Sequence, residues 1–388
     1  MHRRTVLAGS LALLASRTVR ALDGGTPAHR TRWAVRPSEG LDAISFLQPL
    51  SGRSLYTETY GEELRTFAPR LAPEARADVP RLWAEAEKAD VGLLAPGLEV
   101  IFSSGRNGET LDAVLAGLEA PEQKLLAAYR ESPYWSQETW TWLMGARGRL
   151  TTVFRAMRTA GFVRFRKERG GRALTERVAS VQRDLGGFDV IAWQEKLTGR
   201  TFDPTINIVL LLFCKPHGIK VQGQTFLQAY DYDIPTTVRI AAHEMLHPPV
   251  PMEGAAAGAA LGVLSKDPLI TRIVRDHDPR WGYTTLEGLL NEDLCQALDQ
   301  LISEALGVGR NPADRWRKSD DGMHVLAAGF YGYLREDRWA ERGGSIEKWL
   351  GEDVAGGRLD PERLHAVAAR VLERPVTRLW PLDADAGR

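Results

Sequence analysis

His243, Glu244 and His247 stand together in the stretch "IAAHEMLHPP", residues 240–249. Two histidines four residues apart on a helix lie about 40° apart around its axis, so both imidazoles can offer a nitrogen to one metal ion. Glu244 follows the first of them and can take a proton from a water at that ion, as a general base. The metal this pattern suits is Zn²⁺. A chance H-E-x-x-H in a chain of 388 residues is on the order of 1%, so the motif is informative. Its surroundings agree. Val238, Ala241, Ala242 and Met245 form one apolar face, and steps of about 100° put the histidines roughly opposite it. Packed by that face, the helix would hold both histidines toward a cleft. The competing reading is two helix histidines that bond locally. Pro248 and Pro249 predict a helix whose last residue is His247.

A catalytic zinc site needs a third protein ligand and an open position. The continuation "HPPVPMEGAAAG" holds no further histidine, so the third ligand must come from far along the chain. The segment "YTTLEGLLNEDLCQALDQLISEAL" offers Glu287 and Glu292. Five residues apart, they lie about 140° apart on a helix and cannot both reach one ion. Thr284 and Glu287 match a capping box, which gives Glu287 a structural role. Leu286, Leu290, Leu294, Ala297 and Leu301 form the buried stripe, and Glu292 lies opposite it with Cys295, Gln296 and Asp299. This favours Glu292 as ligand, with Glu287 as the alternative and a surface glutamate as the plain structural reading. His217 in "KPHG" and His277 in "RDHDPRWGY" are loop histidines that could substitute as ligands. A hydrolytic site also needs a donor to the developing oxyanion. His324 and Tyr331 share one helix face in "GMHVLAAGFYGYL", and either could serve.

The elements that must position these residues follow from the hydrophobic pattern. From about residue 41 to 196 apolar residues recur at helical spacing. "SPYWSQETWTWLMGARG" gathers Tyr134, Trp135, Trp140 and Trp142, either as a substrate groove or, more commonly, as core. "RFRKERGGR" is short and reads as a solvated face. Near Thr201 the character changes. "TINIVLLLFCKPHGIKV" reads as a buried strand, a turn and a return strand, and "QTFLQAYDY" as a further strand. A helix follows from about Pro235. The expected fold is α+β, mostly helical, with a small sheet next to the H-E-x-x-H helix. The expected divisions are a signal peptide over 1–21, a mainly helical region over 22–200, the catalytic domain over 201–340 and a helical segment over 341–388.

The pairing of H-E-x-x-H with a later helix bearing "GLLNEDLCQ" resembles the gluzincins, the thermolysin-like zinc peptidases, whose ligand helix carries G-x-x-N-E. Gly288, Asn291 and Glu292 stand in the matching places. The chain is more loosely similar to exported bacterial proteins with the same H-E-x-x-H plan. The resemblance spans about residues 205–335. It implies a zincin-like fold, His243, His247 and Glu292 as ligands of Zn²⁺, Glu244 as general base, and a Tyr or His as oxyanion donor. Three features depart from that group. Pro248 and Pro249 end the helix early at His247, the gap from His247 to Glu292 is longer, and Gln296 stands where the group has an aspartate that orients a ligand histidine. The last departure implies weaker support behind the metal and a weaker peptidase.

The start of the chain, "MHRRTVLAGSLALLASRTVRA", has a basic beginning, a short apolar run and small residues at its end, the layout of a signal peptide. "RRTVL" is similar to a twin-arginine signal. Export to the periplasm or the exterior is therefore expected, with no membrane span beyond this segment. Net charge is zero overall and −4 once these four arginines are removed, which argues against a nucleic-acid partner. No G-x-S-x-G elbow and no phosphate-binding loop occurs. Cys214 and Cys295 are the only cysteines and read as two buried thiols. The combined expectation is an exported zinc metallopeptidase acting on a peptide or protein. The alternatives are a non-catalytic metal- or peptide-binding protein on the same scaffold, and a helical binding module built on the Trp-rich region.

Overall fold

Thr205–Leu211, "TINIVLL", is an almost unbroken apolar run because both of its edges and most of its side chains are enclosed. It is strand β2 of a four-stranded mixed sheet. A computed structural model describes residues 29–89 and 91–381 of the protein; the signal peptide expected over 1–21 lies outside the described residues. The strands are β1 (Arg32–Pro37), β2, β3 (Gly218–Gln222) and β4 (Thr225–Ala229). Their order across the sheet is β1-β2-β4-β3. β2 runs parallel to both β1 and β4, with Val35 beside Ile208 and Ile208 beside Phe226. β3 returns antiparallel on β4 and forms one edge.

Two sequence expectations change here. The segment after "KPHG" does not return along β2; it pairs with β4, which lies between them. A parallel β2–β4 pair needs a crossover, and β3 lies within it. The sheet also takes an outer strand from residues 32–37, a segment whose strand pattern was not distinguished from its helical neighbours.

Helices cover the sheet and supply most of the mass, so the fold is a mostly helical α+β arrangement. Before β2 these include α1 (Glu39–Ser45), α2 (Leu94–Ser103), α3 (Gln137–Thr159), α4 (Arg172–Asp184) and α5 (Val190–Thr198). α2 packs on β3 and α4 packs on β1 and β2. The basic run at 164–172 is ion-paired: Arg164 with Glu168, Arg169 with Glu62, Arg172 with Glu176, and Arg166 with buried Asp42.

After the sheet come α6 (Ile234–Glu244), α7 (Pro268–Asp276), α8 (Leu286–Ala305), α9 (Pro312–Lys318) and α10 (Val325–Glu336). Asp233 caps α6 by accepting from the Thr236 N–H at 2.7 Å, with Pro235 in the first turn. Val238, Ala241, Ala242 and Met245 are buried, as the apolar face requires. The Ala242 carbonyl accepts from Gln194 of α5 at 3.0 Å. α8 runs beneath α6 as the central helix. Apart from Asn291, every residue from Leu289 to Ser303 is buried. It therefore has no solvent side, and the expected single apolar stripe is replaced by burial all round. Most of its buried polar residues have partners, Asp299 on α6 and α9, Gln296 on α9 and Asp293 at the start of α10, as burial demands.

Candidate metal centre

α6 ends at Glu244, not at His247. The Leu246 N–H bonds the His243 carbonyl at 3.0 Å, a tight three-residue turn, and His247 lies beyond it. The cause reaches back from the prolines: Pro248 and Pro249 have no N–H for the Glu244 and Met245 carbonyls, and Pro248 disfavours helical backbone at His247. The two rings meet nevertheless. His243 Nε2 and His247 Nε2 are 3.0 Å apart. Glu292 Oε1 lies 3.5 Å from the first and Glu292 Oε2 3.4 Å from the second. Tetrahedral zinc with bonds near 2 Å separates neighbouring ligand atoms by about 3.3 Å, so this triangle has the size of a zinc site.

The outward faces of the rings decide the fit. His243 Nδ1 donates to Asp299 Oδ2 at 2.8 Å. His247 Nδ1 faces Asn291 Oδ1 at 3.3 Å and Cys295 Sγ at 3.3 Å. With each Nδ1 engaged outward, both Nε2 atoms face the same spot; burial opposes charge on His243, but Glu292 and Asp299 outweigh it, so without an ion its Nε2 proton bridges to His247. Asp299 is itself gripped by Arg315 of α9, whose Nη2 lies 2.8 Å from Oδ2. The chain thus has its orienting aspartate, at 299 and not at 296. Gln296 instead donates to Glu292 Oε1 at 2.8 Å and accepts from the Trp316 indole N–H at 2.8 Å. The expected weakness behind the metal is corrected accordingly.

Glu244 stands beside the triangle, and its Oε2 accepts from the backbone N–H of Lys220 on edge strand β3 at 3.1 Å. Burial pushes its carboxyl up to about 7; His243 opposes this and Glu292 adds to it. Burial also disfavours charge on Glu292, but the two histidines outweigh it and hold that carboxyl well below its ordinary range. His247 is pushed down to about 4, by burial first and then by His243. The site therefore holds one neutral imidazole, one committed carboxylate and one carboxyl poised near neutrality.

Glu287 is exposed at the first turn of α8. The cap is Thr285, which accepts from the Gly288 N–H at 3.1 Å, so the box expected from Thr284 is displaced by one residue. Tyr331 is not at the site. Its hydroxyl donates to Glu304 at 2.7 Å, twelve residues beyond Glu292 and therefore about 18 Å farther along α8. His324 is fully buried between Asp293 at 2.6 Å and Asp320 at 2.9 Å. Burial would lower its pKa, but Asp293 reverses this and raises it to about 10. It is a fixed cation behind Glu292, out of reach of a substrate. Neither loop histidine is free: His217 Nε2 faces the Tyr56 hydroxyl at 3.1 Å, and His277 bridges the Ile273 and Gly282 carbonyls at 2.8 and 2.5 Å. Both cysteines are unpaired and buried.

The residue that sequence reasoning missed is Tyr283. Burial first, then the charge of Glu292, raise its hydroxyl's pKa, and Glu244 is within electrostatic range. It sits in left-handed backbone at φ 58, after Gly282 at φ 81 and before the cap of α8. Such backbone is costly for a tyrosine and is a signature of functional positions. No periodicity marks it; its one sequence signal is its place at the entry to the helix bearing Glu292. From the N-terminal half, Tyr134 comes within electrostatic range of Glu244. Its neighbours Trp140 and Trp142 are core.

No protein family, curated protein or solved structure matches the chain.

Proposed function

We propose that this protein is an exported zinc-dependent peptidase of the gluzincin kind. The observation that carries the reading is the convergence of His243 Nε2, His247 Nε2 and Glu292 on one point, with Glu244 beside it. His243, His247 and Glu292 would hold the ion. When bound, zinc supplies Lewis acidity, which acidifies water and polarises a carbonyl. Glu244, with a carboxyl near neutrality, takes the proton of the attacking water and delivers it to the leaving nitrogen. Tyr283 can offer its hydroxyl to the carbonyl oxygen as that atom gains charge. Asp299 and Asn291 fix the two rings.

A peptide substrate is supported by edge strand β3, which runs beside α6 and can accept an extended chain by strand addition. Export rests on the basic and apolar layout of residues 1–21. No described helix is long and apolar enough to cross a membrane. The test is cleavage of an internally quenched peptide library by the zinc-loaded protein and by Glu244→Gln. Cleavage should fall by about 10³-fold or more in the variant while zinc stays bound. Zinc binding with no cleavage of any peptide would leave a metal-binding protein and contradict the catalytic reading.

A further inference from the structure

Beside the metal centre lies a cavity of about 370 Å³, bounded by α6, α8 and α9 and by the segment between α8 and α9. Four carboxylates and three arginines line it, unevenly paired. Every carboxylate facing it is engaged. Asp299 is held by Arg315 and His243, Asp320 by His324, Glu244 by the Lys220 N–H, and Glu292 by the two histidines. The same wall carries three arginines, Arg239, Arg310 and Arg315. Arg315 is consumed by Asp299. Arg239 donates only to neutral oxygens, the Val308 carbonyl at 3.1 Å and Thr236 Oγ1 at 2.7 Å. Arg310 is exposed at the cavity rim. Among the described residues neither has a carboxylate within ion-pair distance. Burial weakens the charge on Arg239, and Asp233 supports it from beyond ion-pair distance.

Arg239 and Arg310 have no carboxylate within ion-pair distance among the described residues, and an arriving carboxylate would give them paired, charge-assisted hydrogen bonds. The position sets which carboxylate. Arg239 precedes His243 by one helical turn, about 6 Å along α6. That is the reach of a single residue from a scissile bond held at the metal. We infer that the cavity is a specificity subsite in which Arg239 and Arg310 receive a carboxylate borne by the substrate residue adjacent to the scissile bond. The inference rests on the peptidase reading and adds the substrate class: peptides with an acidic side chain at that residue, or peptides that end there with a free terminal carboxylate.

The test uses the zinc-loaded full-length protein and short peptidyl hydroxamates, which anchor on the metal and are not cleaved. One pair differs only in a carboxymethyl or carbamoylmethyl side chain next to the hydroxamate. A second pair has an apolar side chain and ends there in a free acid or an amide. The acid of at least one pair should bind about ten-fold tighter than its amide, the effect expected of a charged hydrogen-bonded contact. The pair that shows it identifies the source as side chain or terminus. The preference should shrink to under about three-fold in Arg239→Gln and in Arg310→Gln. Arg310 is at the rim, so its variant remains informative if Arg239→Gln does not fold. Equal affinity for acid and amide in both pairs, or a preference unchanged in both variants, would overturn the subsite alone. Failure of all four probes to bind in a zinc-dependent way would overturn the metal reading and this inference with it.

Discussion

Two imidazole nitrogens 3.0 Å apart, each with its partner nitrogen bonded outward, need a proton or a metal ion between them. That constraint gives the residues around them testable roles. Asp299→Asn removes the charge that holds the His243 proton outward and should weaken zinc binding about 10–100-fold, measured by competition with a chromophoric chelator. It also strands the Arg315 guanidinium, so a lower melting temperature should accompany it. Tyr283→Phe should retain stoichiometric zinc yet lose about 10²-fold in kcat, because only the oxyanion contact is removed. An unchanged kcat would confine Tyr283 to positioning Glu292. At this scale the histidines, Glu244 and Glu292 were legible from spacing and helix faces. Asp299 and Tyr283 were not, for a physical reason. Asp299 lies two turns from Glu292 on the same face, and only the packing of α6 on α8 decides that His243 Nδ1 meets it and not residue 296. Tyr283 is aimed by a left-handed backbone residue that no periodicity announces.

Among the elements, α8 organises the site, since it supplies one ligand and the groups that orient both others. Its existence was readable from "GLLNEDLCQALDQL", whereas its burial was not, because polar residues such as Asp293 and Gln296 disguise a central helix as an amphipathic one. The early end of α6 followed from proline chemistry, but its extent was underestimated by three residues. The β3–β4 pairing could not be read from two adjacent apolar runs, since partner choice depends on the crossover. In the N-terminal half, α1 and α2 meet at a buried carboxyl. Glu99 Oε1 accepts from Ser45 Oγ at 2.5 Å, and Oε2 has no partner. Burial first, then Asp42, push this carboxyl from 4.5 to about 7. Below pH 4.5 both folded and unfolded forms are protonated. As pH rises toward 7 the unfolded chain loses the proton first, so about 2–3 kcal/mol of stability is lost across that window. Glu99→Gln should therefore stabilise the protein in urea unfolding at pH 8 and leave it nearly unchanged at pH 4. An equal effect at both values would contradict a neutral buried Glu99.

On the scale of the whole molecule, one hydrophobic core runs from Trp33 to Trp380, and the sheet joins β1 from the N-terminal half to β2 beside the site. The turn before α3 also brings Tyr134 within electrostatic range of Glu244. Zinc bound at the site should therefore stabilise both halves. At a free concentration 1,000 times Kd it adds about 4.1 kcal/mol, enough to raise Tm by about 5 °C or more, and a chelator should reverse the shift. The mostly helical α+β class was evident from the order of the patterns, while the N-terminal strand that ties the halves together was hidden because its arginines and proline break up the apolar run in "RWAVRP". The most direct test of the central claim is metal content read together with peptide cleavage. The account predicts one zinc per chain, cleavage abolished by a chelator and restored by zinc, and Glu244→Gln that binds zinc but does not cleave. A purified protein that takes up no stoichiometric zinc would contradict it.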